Sequence, residues 1–414
     1  MIPVTDKPAS VASPRWRRTT AYLSVGQLVS WGVLYYSFGV YLPQMHADLG
    51  WSVTTLSGGF AIATLTAGAL APSVGRWIDA HGSRNLMSGG TLMGIIGLLM
   101  WATATEVAVF YIAFALIGVA MATTLYAPAF ATVIQHHASD SRRAIVTITL
   151  AGGLASTLFS PLAQILSDEG SWRTGLLLLT IGFATVTLPL NLALPTGGPS
   201  ATKAIDARTS LHESFARPAQ LWLLAAIFTL SAGVSTAFSV HVVAFLIDEG
   251  HTATTAASIA GAAGLGKVGG RALVAAGPRS SASAVVRGCL IAQAGFLTLP
   301  LVSGHIAGSI VMVVMFGATS GALTIMRPLI VSELVGSRAF GRRNGEIQLA
   351  TTVTKATTPV AAGLLVGVAS YELTWLALAL VVAAAAAITR ALDRTGPDHR
   401  PSPQPTTPEE PQPR

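Results

Sequence analysis

Apolar runs of about 20 residues recur along the chain, each bounded by a short cluster of charges, glycines or prolines. As a helix, a run of that length covers a hydrocarbon core of ~30 Å. The pattern predicts spans over 20–43, 54–74, 86–104, 108–134, 144–166 and 174–194. Six more are predicted over 219–247, 254–276, 284–302, 306–334, 346–368 and 374–392. Between the two sets, 195–218 is polar, with Lys203, Asp206, Arg208, Glu213 and Arg217, and reads as a linker. Residues 393–414 are rich in proline and polar side chains and cannot form a core. The fold class expected is an all-α membrane protein of 12 transmembrane helices in two six-helix, pseudo-symmetric halves. Its parts are a cytoplasmic N-terminal tail (1–19), an N-terminal half (20–194), a cytoplasmic linker (195–218), a C-terminal half (219–392) and a disordered cytoplasmic tail (393–414).

Composition agrees. Of 414 residues, 51% are hydrophobic and 10% charged, whereas soluble proteins carry about 25% charged residues. The net charge of +7 does not indicate nucleic acid, because the basic residues lie in short loops and termini rather than on one face. The single cysteine, Cys289, rules out an internal disulfide and a cysteine metal cluster. His136 and His137 fall in a charged loop and read as solvated. No metal site, cofactor or nucleophile triad is expected, and hence no enzyme. The first apolar run is too long for a signal-peptide core and reads as a retained span.

Loop charges alternate in sign. Arg76/Arg84, Arg142/Arg143, Lys203/Arg208/Arg217, Arg279/Arg287 and Arg338/Arg342/Arg343 lie on one side. Asp48, Glu106, Asp168/Glu169, Asp248/Glu249 and Glu372 lie on the other, with Arg173 the basic exception. The positive-inside tendency then places both termini in the cytoplasm, in a multi-pass protein of the cell membrane.

The segment Gly75-Arg76-Trp77-Ile78-Asp79-Ala80-His81-Gly82-Ser83-Arg84 separates two apolar runs and reads as a tight charged loop. Its G-R-x-x-x-x-x-G-x-R pattern returns as Gly270-Arg271…Gly277-Pro278-Arg279. Residues 200 positions apart also coincide: Phe38/Phe238, Val40/Val240, Asp48/Asp248, Gly50/Gly250, Pro128/Pro328 and Arg142-Arg143/Arg342-Arg343. A half-chain repeat of this kind fits two halves related by an axis along the membrane normal.

An ionisable side chain inside a span costs about 3 kcal/mol on insertion scales, and usually faces a cavity or a partner. Lys267 and Arg271 in span 8, Arg327 in span 10 and Lys355 in span 11 are such groups, and His241 lies in span 7. No Asp or Glu lies in the middle of a span. Buried cations without protein carboxylates want an external anion. Lys267 is one turn from Arg271 on the same face. Arg271 is also the repeat counterpart of Arg76, so a boundary role competes with a site role. Arg327 could equally pair with Glu333. Tyr35 and Tyr126 fall mid-span and suit a cavity wall with a hydrogen-bonding tip; Trp31 and Tyr36 are near them, Trp31 reading as core. The glycines of 261–270 read as close helix contacts.

The Gly75–Arg84 segment resembles the signature between helices 2 and 3 of the major facilitator superfamily, with Gly75, Asp79, Gly82 and Arg84 at its main positions. Within that superfamily the chain is most similar to the monocarboxylate transporter and oxalate:formate antiporter group. Trp31-Gly32…Tyr35…Phe38-Gly39-Val40, Gly270-Arg271, and Phe340-Gly341…Gly345 leading to Lys355 and Pro359 carry that resemblance. It implies a dicarboxylate held by Arg271 and Lys355 and enclosed by Tyr35 and Tyr126. Animal-type monocarboxylate carriers keep an acid where this chain has Lys267, which favours a more anionic substrate or exchange.

The function expected is secondary transport of small organic anions, mono- or dicarboxylates, by alternating access, with the Gly75–Arg84 segment stabilising one state. The alternative is a proton-driven exporter of drugs or metabolites. That reading wants a membrane-embedded acid, and none is evident. The partners expected are an anionic small molecule, the lipid bilayer, and protons or a counter-anion; no nucleic acid is expected, and the protein reads as a monomer.

Overall fold

The computed structural model describes residues 14–136, 141–168, 170–196, 218–276, 281–303 and 306–394. Within them, the side chains of Asp79, 328–329, 331–346 and 348–349, among others, fall outside the description. The linker and the chain beyond Arg394 also lie outside it. Nearly everything described is helix. In hydrocarbon every backbone N–H and C=O must be paired within its own segment, and the helix does this.

Helix α1 runs over Pro14–Trp31, passes through a π-helical turn at Gly32–Tyr36, and continues over Ser37–Leu49. Then come α2 (Val53–His81), α3 (Arg84–Thr103), α4 (Val107–Thr124 and Tyr126–His136), α5 (Ser141–Gly153 and Ala155–Asp168) and α6 (Trp172–Leu192). The C-terminal half begins with α7 (Pro218–Asp248), α8 (Ala253–Ala276) and α9 (Ala282–Leu297, with a turn at Leu299–Ser303). One helical run, Ile306–Val368, supplies two crossings, α10 (Ile306–Arg327) and α11 (347–368). Helix α12 is Tyr371–Arg394.

The 63-residue run Ile306–Val368 is too long for one crossing. Straight, it would be roughly 95 Å, about three hydrocarbon thicknesses. Its contacts show that the chain doubles back. Phe316 stacks on Phe238 with centroids 4.0 Å apart, and the Pro359 carbonyl bonds His241. A straight helix would hold Phe316 and Pro359 roughly 65 Å apart, yet Phe238 and His241 are less than a turn apart on α7. The loop expected at 335–345 is therefore a reversal with helical backbone, not an irregular connection.

Two other boundaries differ from the sequence reading. Gly75–His81 is not a loop but the last turns of α2; the connection to α3 is only Gly82-Ser83. Arg76 and Trp77 are exposed there, at the end of the apolar stretch Val53–Ile78. It ends where Gly82 takes φ +79°, which suits a residue without Cβ and lets its N–H bond Ile78 O. Residues 14–19, expected in the tail, are already α1. Thr19 is buried, and Trp16 packs on the cluster of Leu23, Met87, Ala129 and Val133.

The repeat is visible in three dimensions. Gly50 and Gly250 both close a helix with positive φ, +67° and +90°. Phe38 and Phe238 are both fully buried and each stacks on another phenylalanine, Phe60 and Phe316.

Where the halves meet, backbones come close. A Cβ on Gly39 of α1 would lie 2.7 Å from the Ser239 carbonyl oxygen of α7. Gly261 of α8 is equally tight against Ser156 O of α5, at 3.0 Å, and Gly68 of α2 is filled by Thr352 of α11. Small residues at such crossings let helices approach without a hydrophobic drive between them. At the end carrying Asp48 and Asp168, Thr254 Oγ1 donates to Asp168 Oδ2 at 3.0 Å, tying α8 to α5.

Among the described residues, nine helices are long and apolar enough to cross a membrane. The other three crossings are α1, interrupted by the π turn, α8, diluted by glycine and two cations, and α11, continuous with α10. These three carry Tyr35, Lys267, Arg271 and Lys355.

Candidate substrate site

The π turn of α1 adds a residue to one turn, which changes the faces that follow it. An α-helix sets neighbouring side chains 100° apart; here Trp31, Tyr35 and Tyr36 gather into one cluster. Trp31 lies 5.2 Å from Tyr35 and 6.4 Å from Tyr36, ring centre to ring centre. Tyr126, which restarts α4 after the break at Leu125, joins with its ring 5.0 Å from Trp31.

Helix α8 brings its two cations to this cluster. Lys267 Nζ donates to Tyr36 Oη at 2.8 Å and lies 4.7 Å from the same ring's centroid. Arg271 is buried, 7% exposed. Its Nη1 donates to the Thr149 carbonyl of α5, the same carbonyl that the Tyr126 hydroxyl approaches at 3.5 Å, so the guanidinium and that hydroxyl lie side by side. Room for the guanidinium comes from Gly153, where a Cβ would lie 3.0 Å from Arg271 Nη1. The repeat counterpart Arg76 is exposed and bonded to Ser73 of its own helix. One sequence pattern thus serves a water boundary in one half and a buried cation in the other.

Tyr35 turns toward the C-terminal half, its hydroxyl facing Thr236 and Ser239 of α7. Lys355 and Arg327 are half-buried and within coulombic range of each other. They form a second like-charged pair. Pro359 has no N–H, so the Lys355 carbonyl one turn earlier loses its usual helix partner. The Pro359 carbonyl accepts from His241 Nε2 at 2.9 Å. His241 is 1% exposed and therefore a structural link from α7 to α11.

The structure thus brings Lys267, on Tyr36, and Arg271, beside Tyr126, to one aromatic cluster that also holds Tyr35, and sets Lys355 within coulombic range of Arg327. The side chain of Glu333 lies outside the described residues, as does that of Asp79. Tyr36, not Tyr35, is the acceptor for Lys267. The doublet Tyr35-Tyr36 signalled this, but the π turn that selects Tyr36 did not show in the sequence. The Thr149 carbonyl could not have been found, since every residue carries one.

Among the described residues, Lys267, Arg271, Arg327 and Lys355 have no ion pair with an acid. Among the described residues, the ion pair is Arg173 with Asp48, 3.5 Å apart, at the end of the bundle. No group of His, Cys, Asp and Glu that could hold a metal occurs among them.

Twelve helices in two six-helix halves, with cations where the halves meet, define a membrane transporter. The chain belongs to the Major Facilitator Superfamily, whose family model matches residues 23–326. It is similar to monocarboxylate transporter 13 of Rattus norvegicus, 26% identical over 349 residues, which are 80% of this chain and 76% of that protein. The MFS transporter asaE of Aspergillus flavus is 24% identical over 306 residues, 71% of this chain and 67% of that protein. The solved nucleoside transporter NupG superposes with a TM-score of 0.73 at 15% identity, covering 91% of this chain and 99% of that one. A bacterial homolog of the human lysosomal transporter Spinster gives a TM-score of 0.72 at 14% identity, with 93% and 98% covered. The protein is a transporter and not an enzyme.

Proposed function

We propose that this transporter carries small organic anions, mono- or dicarboxylates, through the site between its halves. The observation that supports this is the pairing of Lys267 and Arg271, whose hydrogen bonds among the described residues go to neutral oxygens, those of Tyr36 and Thr149. Two positive charges on one helix face repel each other in a medium of low dielectric. Neutral acceptors offset only part of that repulsion, and a carboxylate offsets more. The names of the relatives add support: monocarboxylate transporter 13 matches over most of its length. Lys355 and Arg327 would supply a second positive group, suited to the far end of a dicarboxylate. Arg271 and Lys355 bind the anion in this reading, and the aromatic cluster encloses its body.

Transport would follow alternating access. The halves rock about the close α1–α7 contact, while α2–α11 and α5–α8 contacts form and break. The last turns of α2, from Gly75 to Arg84, would brace one state at the basic end, which we place in the cytoplasm with both termini.

The test is uptake into proteoliposomes of labelled acetate, lactate, oxalate and succinate, with and without a pH gradient and internal carboxylate. Acceleration by internal carboxylate, independent of pH, makes the protein an exchanger. Acceleration by a proton gradient makes it a symporter. No carboxylate flux under any condition removes this reading and favours export of drugs or metabolites, which resistance of expressing cells would reveal.

A further inference from the structure

We infer that Trp31, which sequence reading assigns to the core, is itself an anion-binding residue, its indole Nε1–H completing a donor set with Arg271 Nε–H; this rests on the carboxylate reading above. The indole nitrogen is buried and has no hydrogen-bond partner among the described residues. Arg271 Nε is in the same condition, although Nη1 of that guanidinium is satisfied. Buried N–H groups are nearly always paired in native proteins, so two orphans in one place require an explanation.

Both orphans flank the same side chain. The Tyr126 ring lies 5.0 Å from the Trp31 ring, and the Tyr126 hydroxyl and Arg271 Nη1 share the Thr149 carbonyl. Lys267 reaches the cluster from the next turn of α8, on Tyr36 Oη. An orphan indole alone would mean little. Trp375 Nε1 is also unpaired, yet its ring packs on Phe238 and Phe245. Trp31 differs because its ring packs on Tyr36, which accepts from Lys267, and on Tyr126, which shares the Thr149 carbonyl with Arg271. Trp has a donor and no acceptor, so the group that satisfies it must bring an acceptor oxygen. One carboxylate offers two oxygens, one for each N–H. A cation could not occupy this position, and a neutral alcohol would satisfy Arg271 Nε poorly, because charge-assisted bonds to an anion are about twice as strong.

The indole and guanidinium come from opposite halves, α1 and α8. A carboxylate held by both would draw the halves together, so Trp31 would shape affinity and closure at once.

The experiment uses the full chain in proteoliposomes and the carboxylate of the panel that the wild type carries fastest. Trp31→Phe keeps a ring and removes the N–H; Trp31→His restores a ring N–H. The expected result is a KM at least tenfold higher in Trp31→Phe, with chromatographic behaviour unchanged, and partial recovery in Trp31→His. A wild-type KM in Trp31→Phe, alongside a raised KM in Arg271→Lys, overturns the role of Trp31 and leaves the carboxylate reading standing. Absence of carboxylate flux in the wild type overturns both. Where neither variant inserts, spectra of the wild type carrying indole-15N tryptophan decide. One indole proton moving downfield on saturation with the carboxylate supports the inference, and eight unmoved indoles sink it.

Discussion

Lys267 Nζ, on α8, donates to Tyr36 Oη, on α1, across 2.8 Å, and the ammonium lies over the same ring. The bond joins the two halves of the transporter at the π turn. Hydrogen bonds to charged donors contribute about 1.5–3 kcal/mol. Tyr36→Phe should therefore lower the thermal midpoint of the purified protein, and Lys267→Met should add little once Tyr36 is gone. A double-mutant cycle on the midpoints should show coupling of about 1 kcal/mol or more. Strict additivity would mean that the two side chains do not interact.

Lys355 lies in α11 a turn before Pro359, within coulombic range of Arg327. If it belongs to the anion site as proposed, a neutral side chain cannot replace it. Lys355→Gln should insert normally and lose carboxylate uptake by at least 100-fold in proteoliposomes. Uptake at the wild-type rate would remove Lys355 from the site and leave its binding to Lys267, Arg271 and Arg327.

Asp168 accepts from Gln164 Nε2 of its own helix at 2.8 Å and from Thr254 Oγ1 of the opposite half at 3.0 Å. This contact must open if the halves part at that end during transport. Cysteines at 168 and 254, with Cys289→Ser, should form a disulfide under mild oxidation, since their side chains already touch. Uptake should stop on oxidation and return with reductant. A cross-linked protein that still transports would show that this end does not move.

Arg173 breaks the charge rule of its side, and the structure gives the reason. Its guanidinium donates to the carbonyls of Ala102 and Ala104 at the end of α3, and Trp172 donates to Asp48 beside it. The last carbonyls of a helix have no partner of their own, and a cation there also favours the helix dipole. Arg173→Ala should cost about 2 kcal/mol through the lost charged bonds. Asp48→Asn should cost less than about 1 kcal/mol, because that carboxylate is half-exposed and its pair is screened. Equal losses in thermal unfolding would shift the weight from the carbonyl caps to the ion pair.

The sequence by itself determined the medium and the number of crossings. Runs of apolar residues have one physical outcome in hydrocarbon, the helix, so the spans were legible though not all their ends: α8 was expected at 254–276 and found at Ala253–Ala276, while α1 and α2 run several residues past the expected spans. The half-chain repeat was legible too, as Gly50 and Gly250 show. The intramembrane cations stood out because their cost in lipid makes them rare.

Only the tertiary structure decided what those cations touch. Whether Arg271 behaves like Arg76 depends on which helix faces it, and the identical pattern gives opposite answers in the two halves. The choice of Tyr36 as the lysine's acceptor came from one extra residue in a turn of α1, and the partner of Arg271 is a backbone carbonyl that no side chain announces. The extent of α2 as far as His81 was also hidden, because a charged helix end and a charged loop have the same composition. Hydropathy registers transfer into lipid, a property of each segment alone; contact between halves is set by close backbone approach at residues such as Gly39 and Gly261, which depends on two segments at once.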